Sequence, residues 1–128
     1  MNVVEVFRAF LLAANLGTSH VFSPFVPDAN SNLPALGFLQ DEGGEADQEN
    51  GVILRPSFLI QSFAKTADEV QGIYGKLKTA LNGLNNVEIG GGHIYSAWEI
   101  QKGKQALVEG AEWFCIESKW IVQFRNDE

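Results

Sequence analysis

Apolar residues recur at helical spacing in two parts of the chain. The first covers residues 2–16, where one face collects Val3, Phe7, Phe10, Leu11 and Ala14. The second begins at a capping box, in which the Thr66 hydroxyl accepts from the N–H of Glu69 and Glu69 reaches back. A stripe of Val70, Ile73, Tyr74, Leu77, Leu81 and Leu84 follows. The pattern predicts one helix over 2–16 and another from Thr66 to near Leu84.

Alternation with a period of two predicts strands over residues 52–65, 93–101 and 112–125, with a shorter one over 34–40. Pro56 lacks a donor N–H, so the first long strand is expected to be an edge strand or to be bulged there. Residues 102–110 predict either a turn-rich connection or an extension of both flanking strands into a longer hairpin.

The order of these elements is helix, short strands, long strand, helix, strand, strand. Without a repeating βαβ rhythm, it predicts a single α+β domain over residues 1–128, a mostly antiparallel sheet with two helices packed on one face. The predicted core consists of Phe7, Leu11, Phe58, Ile60, Val70, Leu77, Leu81, Phe114, Trp120 and Val122.

Residues 41–50 have almost nothing apolar to bury. Within them lie five acidic residues and two glycines; the acids are Asp41, Glu42, Glu45, Asp47 and Glu49. This composition predicts a solvated, mobile hairpin loop. The spacing of the carboxylates does not match a calcium-binding loop.

Charge narrows the classes of function. The chain has 128 residues and a formal net charge of −7, which disfavours DNA binding by phosphate neutralisation because that mode needs clustered Lys and Arg. No apolar run approaches the roughly 20 residues of a membrane helix, and no signal-peptide pattern is present. We therefore expect a cytoplasmic protein that does not bind membranes.

The residues with catalytic potential do not form a known motif. Cys115 is the single cysteine, and its apolar neighbours predict a buried or interfacial thiol. His20 and His93 lie far apart in the sequence, without metal-ligand companions. Residues 90–92 form a glycine-rich turn, but a strand-like segment follows it where a phosphate loop needs a helix. We expect no enzyme activity, no cofactor and no metal.

Several polar and aromatic residues are predicted to lie off the main core, where aromatic side chains are favoured interface anchors. We select six of them as interface candidates: Arg55, Gln61, Phe63, Trp98, Trp113 and Lys119. A one-residue error in strand register would move such residues to the other face.

Three stretches resemble the tail-terminator, or minor capsid, proteins of long-tailed bacteriophages: the N-terminal helix at 3–16, the strand-to-helix passage at 56–81 and the closing strand at 113–125. Together they cover about half of the chain. The resemblance lies in pattern and order, without a diagnostic motif, and the acidic segment at 41–50 has no counterpart in it.

The resemblance implies a structural virion protein at the tail–neck junction, assembled in the host cytoplasm. Such proteins form a ring, usually of six copies, which ends tube polymerisation and joins the tail to the head. The implied partners are further copies of the chain, the tail tube protein and a neck or head-completion protein. DNA passes through the channel without specific binding, and the five acids of segment 41–50 would repel its phosphates.

Three other interpretations stay open from the residues. The chain could be another neck component, such as a head-completion or adaptor protein. It could be a small ligand-binding or enzymatic α+β domain, which would need a concave site with convergent polar groups. It could also be a cellular scaffolding or antitoxin-like protein that masks a basic partner.

Overall fold

The computed structural model describes residues 2–18, 20–22, 33–45, 53–108 and 112–125. They form two helices and six strands. In chain order these are α1 (Val3–Ala13), β1 (Val21–Phe22), β2 (Ala35–Glu45), β3 (Ile53–Ala64), α2 (Ala67–Asn82), β4 (Val87–Ile89), β5 (Gly92–Val108) and β6 (Trp113–Arg125).

All six strands belong to one sheet, in the order β1-β2-β3-β6-β5-β4. β1 pairs with β2 in parallel through only two residues, and every other neighbouring pair is antiparallel. The α+β class with a mostly antiparallel sheet is therefore confirmed.

Local capping sets the helix boundaries. The side chain of Asn2 accepts from the backbone N–H of Val4 at 3.0 Å, which fixes the start of α1. That helix ends at Ala13 rather than at Leu16 as predicted, because Asn15 has a φ of 56° and leaves the right-handed helical region. The Thr66 hydroxyl accepts from the N–H of Glu69 at 3.1 Å, so the predicted start of α2 is correct.

Both helices pack on one face of the sheet, which we call the helix face. The ring of Phe7 stacks on Phe58, with 4.5 Å between ring centroids, and meets Phe38 edge-on at 5.4 Å. The indole N–H of Trp120 is satisfied by the Ser118 hydroxyl at 2.9 Å. Of the predicted core residues, all are buried except Phe114, which is partly buried and packs against the same cluster.

The prediction for Pro56 is corrected in part. β3 lies between β2 and β6, so it is not an edge strand. The register of β2 against β3 shifts between Asp41 and Gly44, opposite Ser57 and Pro56. This bulge gives the extra backbone length with which an interior strand tolerates a residue that has no N–H.

Residues 41–45 are not a loop, as their composition predicted, but continue β2, and Glu45 pairs with Arg55 of β3. Backbone pairing with an interior strand keeps this segment extended. The predictions for Asp47 and Glu49 lie outside the described residues.

The last two long strands form an extended hairpin. β5 runs to Val108, which pairs with Trp113, so the longer-hairpin alternative is confirmed for residues 102–108. β4 was not predicted. It joins β5 through Gly90 and Gly91, whose φ values of 60° and 79° both lie in the left-handed region that a tight two-residue hairpin turn requires.

Within the described ranges, neither α1 nor α2 has the length and apolar character that crossing a membrane would require.

Candidate assembly surfaces

The sheet face opposite the helices, which we call the outer face, carries all six interface candidates. Strand register establishes this, because Gln61 pairs with Glu117, Phe63 with Cys115, and Trp98 with Ile121. Arg55, Trp113 and Lys119 follow from the alternation along β3 and β6. One face therefore collects these residues from three strands: Arg55, Gln61, Phe63, Trp98, Trp113 and Lys119.

The six differ in how much surface they offer to a partner. Trp98 is 41% exposed, whereas Phe63 is only 1% exposed and Trp113 only 7%. Arg55, Gln61 and Lys119 are half-buried. In a single chain, Trp98 therefore has the most surface to contribute to an interface, and Phe63 and Trp113 have little. The interface role of the set stays a prediction.

Polar pairs link neighbouring and more distant strands on the outer face. Lys119 of β6 reaches Asp41 of β2, with 3.1 Å between its Nζ and the Asp41 Oδ2. The amide of Gln61 in β3 donates to Glu117 in β6 at 3.3 Å. Asp41 therefore has a structural role as an ion-pair partner, in addition to the charge it contributes to the molecule.

A depression of about 410 Å³ opens on the same face, lined by Gln101, Lys104, Ala106, Cys115 and Glu117. Burial, with a further contribution from the charge of Glu117, raises the pKa of the Cys115 thiol to about 11. The thiolate is the nucleophilic form, so Cys115 is poorly suited to nucleophilic chemistry near neutral pH. His93 pairs with Arg125 at the opposite end of β6, which is too distant to serve as its base.

His93 stabilises the β4–β5 hairpin through contacts of both its ring nitrogens. Its Nε2 is hydrogen-bonded to the Asn86 side chain, and its Nδ1 lies 3.5 Å from Glu88 Oε1. Both ring nitrogens are thus directed at side chains of the segment that leads into and forms β4. This arrangement holds the hairpin together.

The edge of β5 that faces away from β6 is largely unpaired. β4 covers the start of this edge. Beyond β4, the backbone N–H of Asn86 donates to the carbonyl of Tyr95 at 3.0 Å. Along residues 96–108, no described strand pairs with this edge. The sequence did not predict this unpaired edge, because the pattern of residues 102–110 is also compatible with a turn.

Exposed apolar side chains concentrate on this strand. Trp98, Ile100 and Leu107 are 41%, 49% and 61% exposed, and among the described residues the one other exposed large apolar side chain is Leu12. They do not form one patch, because Trp98 pairs with Ile121 on the outer face and Leu107 pairs with Phe114 on the helix face. An open strand edge carrying apolar side chains is a template for association with another chain.

One hydrogen-bonded group joins α2 to β5. The Tyr74 hydroxyl donates to the Glu99 carboxylate and accepts from the Gly103 N–H at 2.7 Å. Burial, followed by the hydrogen bond to Glu99, raises the pKa of Tyr74 to about 12. Periodicity had placed Tyr74 in the apolar stripe of α2, and only the structure shows that Gly103, which has no Cβ, lies against its ring.

No known protein family matches the sequence, and no characterised protein does. The fold is similar to that of a chain in a solved structure of the virion of a native gene transfer agent particle. The TM-score is 0.65 at 18% identity, and the match covers 96% of this chain and 93% of that chain. At this identity the likeness establishes a shared fold.

Proposed function

We propose that the protein is a structural component of a phage-like virion. The observation that carries the proposal is the extent of the fold match to the virion chain, which includes 96% of this protein and 93% of its counterpart. A fold match over nearly the whole of both chains favours a shared structural role over a similarity confined to one part of the fold. The pattern of three sequence stretches that resembles tail terminators supports the same class.

Within the virion, the proposed position is the head-proximal end of the tail tube. There the protein forms a ring, of six copies in this proposal, that ends tube polymerisation and joins the tail to a neck protein. A ring needs two different surfaces on each subunit that meet head to tail. The two ends of the described sheet are different: β1 and β2 form one end, and β5 and β4 form the other.

The proposed role requires no catalysis. The chemistry of two candidate reactive side chains is consistent with this: Cys115 has a raised pKa, and His93 is occupied within its own hairpin. Binding to the tail tube and the neck then rests on surface complementarity.

The first experiment measures the mass and shape of the purified protein, alone and mixed with tail tubes, by light scattering and negative-stain imaging. Rings, or a cap at one end of the tube, are expected. A persistent monomer that leaves both tube ends bare would contradict the terminator role.

Another neck component is the second candidate, because the similar chain comes from a whole virion and the same assembly logic applies to head-completion proteins. Its location in partial particles distinguishes the two. A terminator copurifies with headless tails, and a head-completion protein copurifies with tailless heads.

A further inference from the structure

We propose that the edge of β5 along residues 104–108 binds an extended segment of a different virion protein, in which acidic and apolar side chains alternate. The segment adds to the sheet as a further strand beside β5. This inference rests on the proposed function and names the chemistry of one partner. Main-chain hydrogen bonds supply affinity in such a contact, and the side chains that flank the edge supply selectivity.

The free edge of β5 is regular along residues 104–108. Over this stretch β5 pairs with residues 113–117 of β6 without a shift of register, whereas irregularities lie between Glu99 and Lys104. Alternate residues of a strand direct their backbone N–H and C=O groups to opposite sides, and no described strand pairs with the side that faces away from β6. A further strand can therefore continue the sheet here.

Helix α2 holds this part of β5 in place. The side-chain amide of Gln71 donates to the side-chain oxygen of Gln105 at 2.8 Å, and the Tyr74 hydroxyl accepts from the N–H of Gly103 at 2.7 Å. With β6 on one side and α2 on the helix face, the strand is fixed in an extended conformation while its other edge stays open. A preorganised strand loses less conformational entropy when a partner binds.

The depression of about 410 Å³ on the outer face lies beside the same stretch. Lys104 and Ala106 of β5 line it, together with Gln101 of β5 and with Cys115 and Glu117 of β6. Every second side chain of an added strand points to the outer face, next to Lys104 and Ala106. The depression therefore has room for a side chain of the partner.

Lys104 selects the charge of that side chain. Its Cα partner is Glu117, but the Glu117 carboxylate accepts from the amide of Gln61 at 3.3 Å, and no ion pair joins Lys104 to another described residue. Opposite charges on directly paired residues stabilise a sheet. A carboxylate beside Lys104 would complete such a pair, and the same stretch of a second copy, residues 104–108, carries no acidic side chain.

Leu107 sets the character of the other face. It is 61% exposed, and its Cα partner Phe114 packs against the core cluster on the helix face. An apolar side chain of the added strand would remove the surface of Leu107 from water. Because Lys104 and Leu107 lie on opposite faces, the partner segment has acidic residues on one face and apolar residues on the other.

The test places a photoreactive side chain on this edge. p-Benzoylphenylalanine replaces Leu107 or, as the control, Leu12, an exposed leucine of α1. Purified particles are irradiated, and mass spectrometry identifies the cross-linked peptides. From position 107 we expect a cross-link to a segment of a different virion protein in which acidic and apolar residues alternate. The same product is not expected from position 12.

Charge variants test the selectivity of the edge. Lys102→Glu with Lys104→Glu is expected to lower the cross-link yield per incorporated copy about tenfold, because like charges then meet. Lys102→Arg with Lys104→Arg should retain it. The matched control, Arg8→Glu with Lys76→Glu, changes the net charge equally at exposed positions on α1 and α2. Circular dichroism melting verifies that every variant is folded.

The outcomes separate this inference from the proposed function. A cross-link from position 107 to such a segment, lost in the glutamate variant and retained in the arginine variant and the control, supports it. No cross-link from position 107, a cross-link only to a second copy of the chain, or an unchanged yield in the glutamate variant would overturn it while leaving the protein in the virion. If purified particles contain no copy of the protein, the proposed function and this inference both fail.

Discussion

Gly103 of β5 lies directly against the ring of Tyr74 in α2. A Cβ added there would lie 2.3 Å from Tyr74 Cζ and 2.7 Å from Ile116 Cγ2. Both neighbours belong to packed elements, so Gly103→Ala is expected to lower the free energy of unfolding by about 2 kcal/mol, as overpacking does. Urea denaturation of the purified protein measures the change.

Gly75→Ala is the matched control for this substitution. Gly75 lies in the interior of α2, and an added Cβ would have no atom within 4 Å. Alanine also has the higher helix propensity, by about 1 kcal/mol. The control is therefore expected to stabilise the protein. Equal effects of the two substitutions would contradict the close approach at Gly103.

The role of Gly103 cannot be inferred from its neighbours in the sequence. It lies between Lys102 and Lys104, and a glycine between two lysines is as typical of a turn as of a strand. What makes glycine necessary is the ring of Tyr74, which lies 29 positions earlier in the chain. No local pattern contains that information.

At the scale of elements, the contact between α2 and β5 should make the free energy of unfolding depend on pH. The pKa of Tyr74 is raised to about 12, chiefly by burial and then by its bond to Glu99, whereas an unfolded tyrosine ionises near 10. The folded state thus holds this proton more tightly. Its contribution to stability is fully present below about pH 10 and is lost as the pH rises towards 12.

Absorbance of the phenolate measures this directly. The chain has two tyrosines, so Tyr95→Phe leaves Tyr74 as the sole phenol. Ionisation is expected near pH 12 while circular dichroism still reports folded protein, and near pH 10 in denaturant. Titration of the folded variant near pH 10 would show that Tyr74 is not held by Glu99 and Gly103.

The helices were the most predictable elements because their signals are local. Thr66 and the apolar stripe of α2 suffice to give its start and its buried face, and both agree with the structure. The strands were harder. β5 owes its full length to pairing with β6, and residues 41–45 are extended because β3 lies beside them. Such pairing joins distant segments, so periodicity left the length of β5 open, and composition wrongly predicted a loop at residues 41–45.

For the whole molecule, the alternation of β6 correctly separated the two faces of the sheet. All six interface candidates consequently lie on the outer face. Sequence patterns did not reveal the strand order, which places β5 near one end of the sheet and β2 near the other. Among the described strands, the unpaired edge of β5 follows from that order and from the short length of β4.

The acidic residues near the end of β2 now separate into groups with different expected roles. Asp41 is paired with Lys119 at 3.1 Å, so Asp41→Asn is expected to act mainly on stability. Glu42, Glu45, Asp47 and Glu49 remain as the residues whose charge is expected to act on DNA in the proposed channel.

This division gives a test of channel electrostatics that does not disturb the ring. Particles carrying Asp47→Asn with Glu49→Gln are expected to assemble in normal numbers but to deliver DNA less efficiently, because less negative charge then repels the phosphates. Electron microscopy counts complete particles, and DNA transfer per particle measures delivery. If neutralising all five acids left both assembly and delivery unchanged, the proposed electrostatic role would not stand.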